Sequence, residues 1–276
     1  MGLFSSAWKS KNDKRALKAV NKLKDGAKLA LVAKEVWSLD VQKAAVYKLT
    51  DQNALADVAK NAGEWSVRRV AVEKLINQNV LADIAKNGKD RDVCMDAVKK
   101  LTDQNVLADV AKNAKVALVR IAVAEKLTDQ TFAQEVYADI ARNIKYDKYE
   151  RMDAVKKLTG QNVLANIAKN DKDSDMCVVA VEKLTDQNVL ADVAKNGTDR
   201  YMRNRAVKKL TDHNVLSEIV NGDAEKYKYT WGEYAWDWGG NDTGTDTTIE
   251  TWTETMTLDL RDTARKRLAK LKDKQK

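Results

Sequence analysis

The residue types that most often carry chemistry are scarce in this chain. It has one histidine, His213, and two cysteines, Cys94 and Cys177, in 276 residues. His213 stands where related segments carry glutamine, at Gln52, Gln78, Gln104, Gln130, Gln161 and Gln187. It therefore reads as a variant of a polar surface position, because a metal ligand needs companions of the right spacing. Cys94 and Cys177 each fall seven residues before a leucine, Leu101 and Leu184. At ~8–10 Å between packed helices, that shared register places them roughly 25–30 Å apart, too far for a disulfide or a shared metal. No phosphate loop, G-x-S-x-G or H-E-x-x-H motif is present. No catalytic residue, metal or cofactor is expected.

What recurs instead is a pattern of amides and charges. Asn53, Asp57 and Lys60 are spaced i, i+4, i+7 and fall on one side of a helix. The same triplet returns as Asn105, Asp109 and Lys112 and again as Asn188, Asp192 and Lys195. These nine residues are candidates for partner binding. A second row, Lys22, Lys48, Lys74, Lys100, Lys126, Lys157, Lys183 and Lys209, has two readings. It can follow a phosphate backbone, or it can be a solvated face. A third candidate is the aromatic block near the C-terminus, with Tyr229, Trp231, Trp236 and Trp238. Aromatic side chains are enriched where partners bind, but they also seal the ends of repeat arrays.

The elements that position these residues follow from one fact. KLTDQNVLADVAKN occurs at Lys100–Asn113 and again at Lys183–Asn196. A Lys-Leu mark recurs with the leucine at 23, 49, 75, 101, 127, 158, 184 and 210. The step is 26 residues throughout except for one of 31. Internal repetition on this scale outranks every other inference. Each unit reads as two short helices. Val41, Ala45, Val46 and Leu49 share one helical face, and Ala54, Leu55, Val58 and Ala59 share another. Asp51 offers an N-cap and Asn61 a left-handed C-terminal residue. Helices of two to three turns are unstable alone and gain stability by stacking on their neighbours. The long step places about one extra helical turn in the second helix of the fifth unit. Proline is absent, so nothing of that kind breaks the helices.

The pattern A-V-x-K-L-T-D-Q-N-V-L-A-D-V-A-K-N resembles the HEAT-repeat superfamily, and its short period is nearest to the leucine-rich repeat variant type. The resemblance covers residues 16–221. It implies an all-α, right-handed α-solenoid of about eight helix pairs, with second helices lining a concave side used to hold partners. The leucine-rich repeat variant type alternates α and 3₁₀ segments, whereas the spacing here favours α for the second segment.

Four regions are expected: a basic N-terminal cap over 1–15, the repeat array over 16–221, an aromatic and acidic β-hairpin over 222–258, and a basic C-terminal helix over 259–276. The net charge of +8 is uneven. Residues 222–260 carry nine acids and two lysines, whereas 261–276 carry eight bases and two acids. Phe4 and Trp8 form an apolar flap for the first unit, in a segment where Gly2 and Ser6 also fit a loose myristoylation pattern. Two cysteines make no secreted disulfide framework, and no apolar run reaches the ~18–20 residues of a membrane span. A cytoplasmic monomer is the expected setting. The leading functional expectation is a non-enzymatic scaffold for a protein or peptide partner. The alternative is a nucleic-acid-binding HEAT-like protein. A HEAT-like DNA glycosylase is the remaining, enzymatic one, resting on fold resemblance alone.

Overall fold

The computed structural model describes residues 7–222, 228–230 and 257–274. The chain divides into two units, Met1–Lys157 and Leu158–Lys276. The first unit opens with a 3₁₀ turn, Ala7–Lys9, followed by α1 (Asp13–Lys22), α2 (Gly26–Glu35), α3 (Leu39–Lys48), α4 (Gln52–Asn61), α5 (Trp65–Lys74) and α6 (Gln78–Asn87). It continues with α7 (Arg91–Lys100), α8 (Gln104–Asn113), α9 (Ala117–Ala124), α10 (Gln130–Arg142) and α11 (Lys148–Lys157). The second unit holds α12 (Gln161–Asn170), α13 (Ser174–Lys183), α14 (Gln187–Asn196), α15 (Arg200–Lys209), α16 (His213–Asn221) and α17 (Leu260–Asp273). The described part is thus almost entirely α-helical, built from helical hairpins that repeat in sequence order.

The Lys-Leu mark is periodic because the leucine ends a helix. Leu49 is the C-cap of α3, with φ −64° and ψ 131°, so the chain turns extended at that residue. Its side chain goes inward: Leu49, Leu75, Leu101, Leu184 and Leu210 are 0–1% exposed. Truncating such a residue to alanine typically costs ~2–5 kcal/mol, which holds the mark in place. Two residues later an acid starts the next helix. Asp51 accepts from the Ala54 amide at 2.8 Å, and Asp103 accepts from Asn105 and Val106 at 2.9 and 3.1 Å. These caps satisfy N–H groups that a helix start leaves open. Gly160 stands at this place before α12 and supplies no side-chain cap.

Packing follows a different phase from the sequence unit. Each second helix lies closest to the first helix of the following unit: α2 on α3, α4 on α5, α6 on α7, α8 on α9, α10 on α11, α12 on α13 and α14 on α15. First helices also meet first helices, as α1 with α3 and α5 with α7, and second helices meet second helices, as α2 with α4 and α6 with α8. The core of each unit is therefore a continuous strip of Ala, Val and Leu. Ala45, Ala71, Ala97 and Ala180 are all fully buried, and their small size lets the backbones approach.

One detail corrects the expectations. Asn61 is not a left-handed C-terminal residue. It is the last helical residue of α4, and Ala62 after it is extended at φ −62° and ψ 143°. The helix end needs no left-handed residue because the chain leaves it directly in extended form, and the Asn61 amide instead donates to Asp57 at 2.8 Å. The fifth unit does gain a turn, with α10 running thirteen residues against ten for α8. The second segments are α-helical, as their spacing required.

The ends are closed by non-repeating elements. Trp8, 5% exposed, packs from the 3₁₀ turn against α1; Phe4 lies outside the described residues. At the other end α17 covers α16 and α15, burying Leu260 and Ala264. Lys228–Thr230 (β1) pairs antiparallel with Thr257–Asp259 (β2), with Tyr229 opposite Leu258. This three-residue ladder is the only β-pairing among the described residues. The rest of the expected hairpin, including Trp231, Trp236 and Trp238, lies outside them. No helix among the described residues is long and apolar enough to cross a membrane.

Candidate functional site

The candidate triplets separate into two kinds once their neighbours are known. The aspartate and lysine are joined from repeat to repeat. Lys34 meets Asp57 at 2.6 Å, Lys60 meets Asp83 at 2.5 Å and Lys86 meets Asp109 at 2.6 Å. In the second unit Lys169 meets Asp192 at 2.6 Å, and Lys195 pairs with Glu218. Each lysine near the end of one second helix thus reaches the middle of the next. Each aspartate also accepts from the asparagine one turn on, as Asn113 to Asp109 at 2.7 Å and Asn196 to Asp192 at 2.9 Å. Hydrogen bonds from Lys34 and Asn61 hold the Asp57 carboxyl below its ordinary range. The same pairing by Lys60 and Asn87 lowers Asp83, and by Lys86 and Asn113 lowers Asp109. Asp192 is lowered by Asn196 and Lys169.

The ladder stops at the fifth repeat. Lys112 is exposed and makes no ion pair among the described residues. The extra turn of α10 moves the next carboxylate, and Asp139 pairs instead with Arg120 at 2.8 Å.

The lysine row is also committed within the fold. Lys48 donates to the Asn21 carbonyl at 2.6 Å, Lys74 to Tyr47, Lys100 to Glu73 at 2.5 Å, Lys126 to Val98 and Lys99 at 2.8 and 2.9 Å, and Lys209 to Glu182. Each acceptor is a carbonyl at the C-terminal end of the preceding first helix, where a cation is favoured. Lys157 pairs with the Glu125 carboxylate at 2.5 Å. Lys22, on α1, is exposed and has no partner among the described residues. The row therefore ties each first helix to the one before it.

The glutamine register explains His213. Gln52 donates to the Lys74 carbonyl at 3.3 Å and accepts from the Ile76 amide at 2.9 Å. Gln78 and Gln104 make the same clamp on the loops at Thr102 and Thr128. Gln161 and Gln187 accept from the Thr185 and Thr211 amides at 2.8 and 2.7 Å. In the fifth unit the added turn displaces the role. Gln130 bonds locally to Leu127 at 2.9 Å, and Gln134, one turn later, reaches the Lys157 carbonyl at 3.1 Å. His213 takes this place in the last repeat, as the first residue of α16.

Cys94 and Cys177 are free and buried. After the first repeat, which has Ala16 here, their register is otherwise filled by Gln42, Arg68, Arg120, Arg151 and Arg203. Every one of these side chains donates to a carbonyl at the end of the preceding second helix. Gln42 bonds Val36 at 2.6 Å, Arg120 bonds Ala111 at 2.7 Å, and Arg203 bonds Ala194 at 2.8 Å. Arg151 bonds Ala141 at 2.8 Å, and Arg68 bonds Ala62 and Gly63. The thiols do likewise, Cys94 to Ile84 at 3.3 Å and Cys177 to Ile167 and Asp171 at 3.4 and 3.3 Å. Burial raises both thiol pKa values, that of Cys177 to about 11. Neither thiol has the lowered pKa of a reactive nucleophile.

The asparagine of each triplet is left over, and in the second triplet Lys112 is too. Asn53, Asn105 and Asn188 are exposed, and their side chains make no hydrogen bond among the described residues. The same is true of Asn79, Asn162 and Asn214 at the same register. The sequence reading took these asparagines together with the charges and missed that the amides stay free in every copy. The signal was present in the extra copies at 79, 162 and 214. Among the described residues, no three His, Cys, Asp or Glu side chains gather as a metal site. No family model matches the chain. No curated protein matches it.

Proposed function

We propose that this chain is a non-enzymatic repeat scaffold that holds a protein or peptide partner along its second helices. The observation that carries this reading is the recurring free carboxamide, Asn53, Asn79 and Asn105 in the first unit and Asn162, Asn188 and Asn214 in the second. An asparagine side chain both donates and accepts, so it matches the paired N–H and C=O of an extended peptide backbone. The Asp–Lys ladder beside it keeps the surface near neutral, which suits a polypeptide better than a nucleic acid. The HEAT-like resemblance, with its right-handed superhelix and concave second-helix face, is part of the same proposal.

The test is capture from the native host with a photo-crosslinking residue in place of Asn105, followed by mass spectrometry. One protein crosslinked specifically at this position, and lost when Asn53 and Asn79 are changed to alanine in the same chain, supports the reading. A crosslink pattern indifferent to those substitutions removes it. Retention on DNA at low salt that disappears steeply with added salt supports the nucleic-acid alternative instead.

A further inference from the structure

The last repeat departs from the others in a way that neither stacking nor the carboxamide row requires. Asn204 on α15 occupies a register that is apolar at Leu17, Met95, Ile121, Met152 and Val178 and polar at Lys43 and Arg69. It is 8% exposed, and its side-chain oxygen is buried with no partner. Next to it the Nε–H of Arg205 is also buried and unpartnered. A buried polar group without a partner costs free energy, so two neighbouring ones demand a reason.

Both residues line open clefts on the second unit. One cleft, of about 430 Å³, is bounded by Glu182, Tyr201, Asn204, Arg205, Lys208 and Lys209. Another, of about 440 Å³, shares Asn204 and Lys208 and is bounded further by Thr263, Lys266, Arg267 and Lys270 of α17. Among the described residues, six cations therefore surround the pair of clefts, against one carboxylate. That carboxylate, Glu182, is held by Arg205 Nη1 at 2.8 Å. Two of the cations have structural duties: Lys209 bonds the Glu182 carbonyl, and Arg267 bonds the Leu210 carbonyl at 2.8 Å. Lys208, Lys266 and Lys270 are exposed and make no ion pair among the described residues. At the register of Lys208 in earlier repeats, Lys99 and Lys156 are instead tied to Asp96 and Asp153.

We infer that these adjoining clefts, one between α13 and α15 and the other between α15 and α17, form a binding site for an oligophosphate chain. The class follows from the geometry. Each cleft has the volume of a small-molecule site, larger than one tetrahedral anion needs. Ammonium groups on both walls neutralise several negative charges, and the guanidinium of Arg205 brings a fixed donor to the floor. Asn204 lines both clefts, and its side-chain N–H₂ can donate to a phosphate oxygen there. The site is separate from the carboxamide row and stands whether or not that row binds a peptide.

The experiment is calorimetric titration of the full chain with sodium tripolyphosphate, and with orthophosphate and citrate in parallel. The expected result is one equivalent of tripolyphosphate bound at least tenfold more tightly than either control. Lys208→Gln with Lys270→Gln lowers that affinity at least tenfold. These two side chains are exposed and unpaired, so the melting temperature stays unchanged. Asn204→Val, which restores the apolar register, lowers affinity several-fold without loss of stability. Lys22→Gln with Lys112→Gln changes neither quantity. Absence of binding to the intact chain overturns the proposal. So does citrate binding as tightly as tripolyphosphate, or an affinity that the Lys208 and Lys270 substitutions leave intact.

Discussion

Lys86 Nζ lies 2.6 Å from Asp109 Oδ2, twenty-three residues further along the chain and one repeat away. The same relation ties Lys34 to Asp57 and Lys60 to Asp83. Because these carboxylates are 41–46% exposed, each pair contributes little by itself. A double-mutant cycle with Lys86→Met and Asp109→Asn is expected to give a coupling of ~0.5 kcal/mol. Urea denaturation measures it, and 1 M salt shrinks it, since the Debye length falls to about 3 Å.

The glutamine clamp gives a sharper contrast. Gln104→Ala removes the bonds to the Lys126 carbonyl and the Thr128 amide and is expected to cost ~1 kcal/mol. In the fifth repeat the effect moves: Gln134→Ala destabilises, while Gln130→Ala, which loses only a local bond, costs a few tenths. Equal losses at 130 and 134 in the same denaturation assay would contradict the transfer of the clamp along α10.

The ladder carboxylates set the response to acid. Their folded-state pKa values lie below the ordinary 3.8. Their contribution is therefore fully present above about pH 4 and is lost as pH falls through the lower, folded-state values. A variant carrying Asp83→Asn and Asp109→Asn starts less stable and loses less on acidification from pH 5 to pH 3. Circular dichroism melts across that window check the slope.

Cys177 sets a response to alkali. Its thiol is raised from 9.0 to about 11 by burial, so its contribution is present below about pH 9 and lost as pH rises through 11. The difference between the native chain and Cys177→Ser, whose hydroxyl donates to the same carbonyls, is expected to change by on the order of 2 kcal/mol over that range. Alkylation at pH 8 should likewise be at least a hundredfold slower in the folded chain than in urea.

Gly160 is the weak start among the second helices. Gly160→Asp restores the acid cap found at Asp103 and Asp186 and is expected to stabilise by a few tenths of a kcal/mol. A thermal shift in the opposite direction would show that the glycine has another role.

The residues themselves determined the period, the limits of each short helix and the added turn of α10. Those properties depend on neighbours within a few positions: Asp51 caps the helix that begins at Gln52, and Leu49 ends the one before it. Only the tertiary structure decided what the polar residues do, because their partners lie 22 to 27 residues away, as Gln52 to Lys74 and Lys100 to Glu73. A lysine that bonds a helix end and a lysine that faces water read alike in one dimension. Stacking brings the end of one repeat within reach of the next, and that distance converts three of the four polar rows into internal ties, leaving the asparagines open.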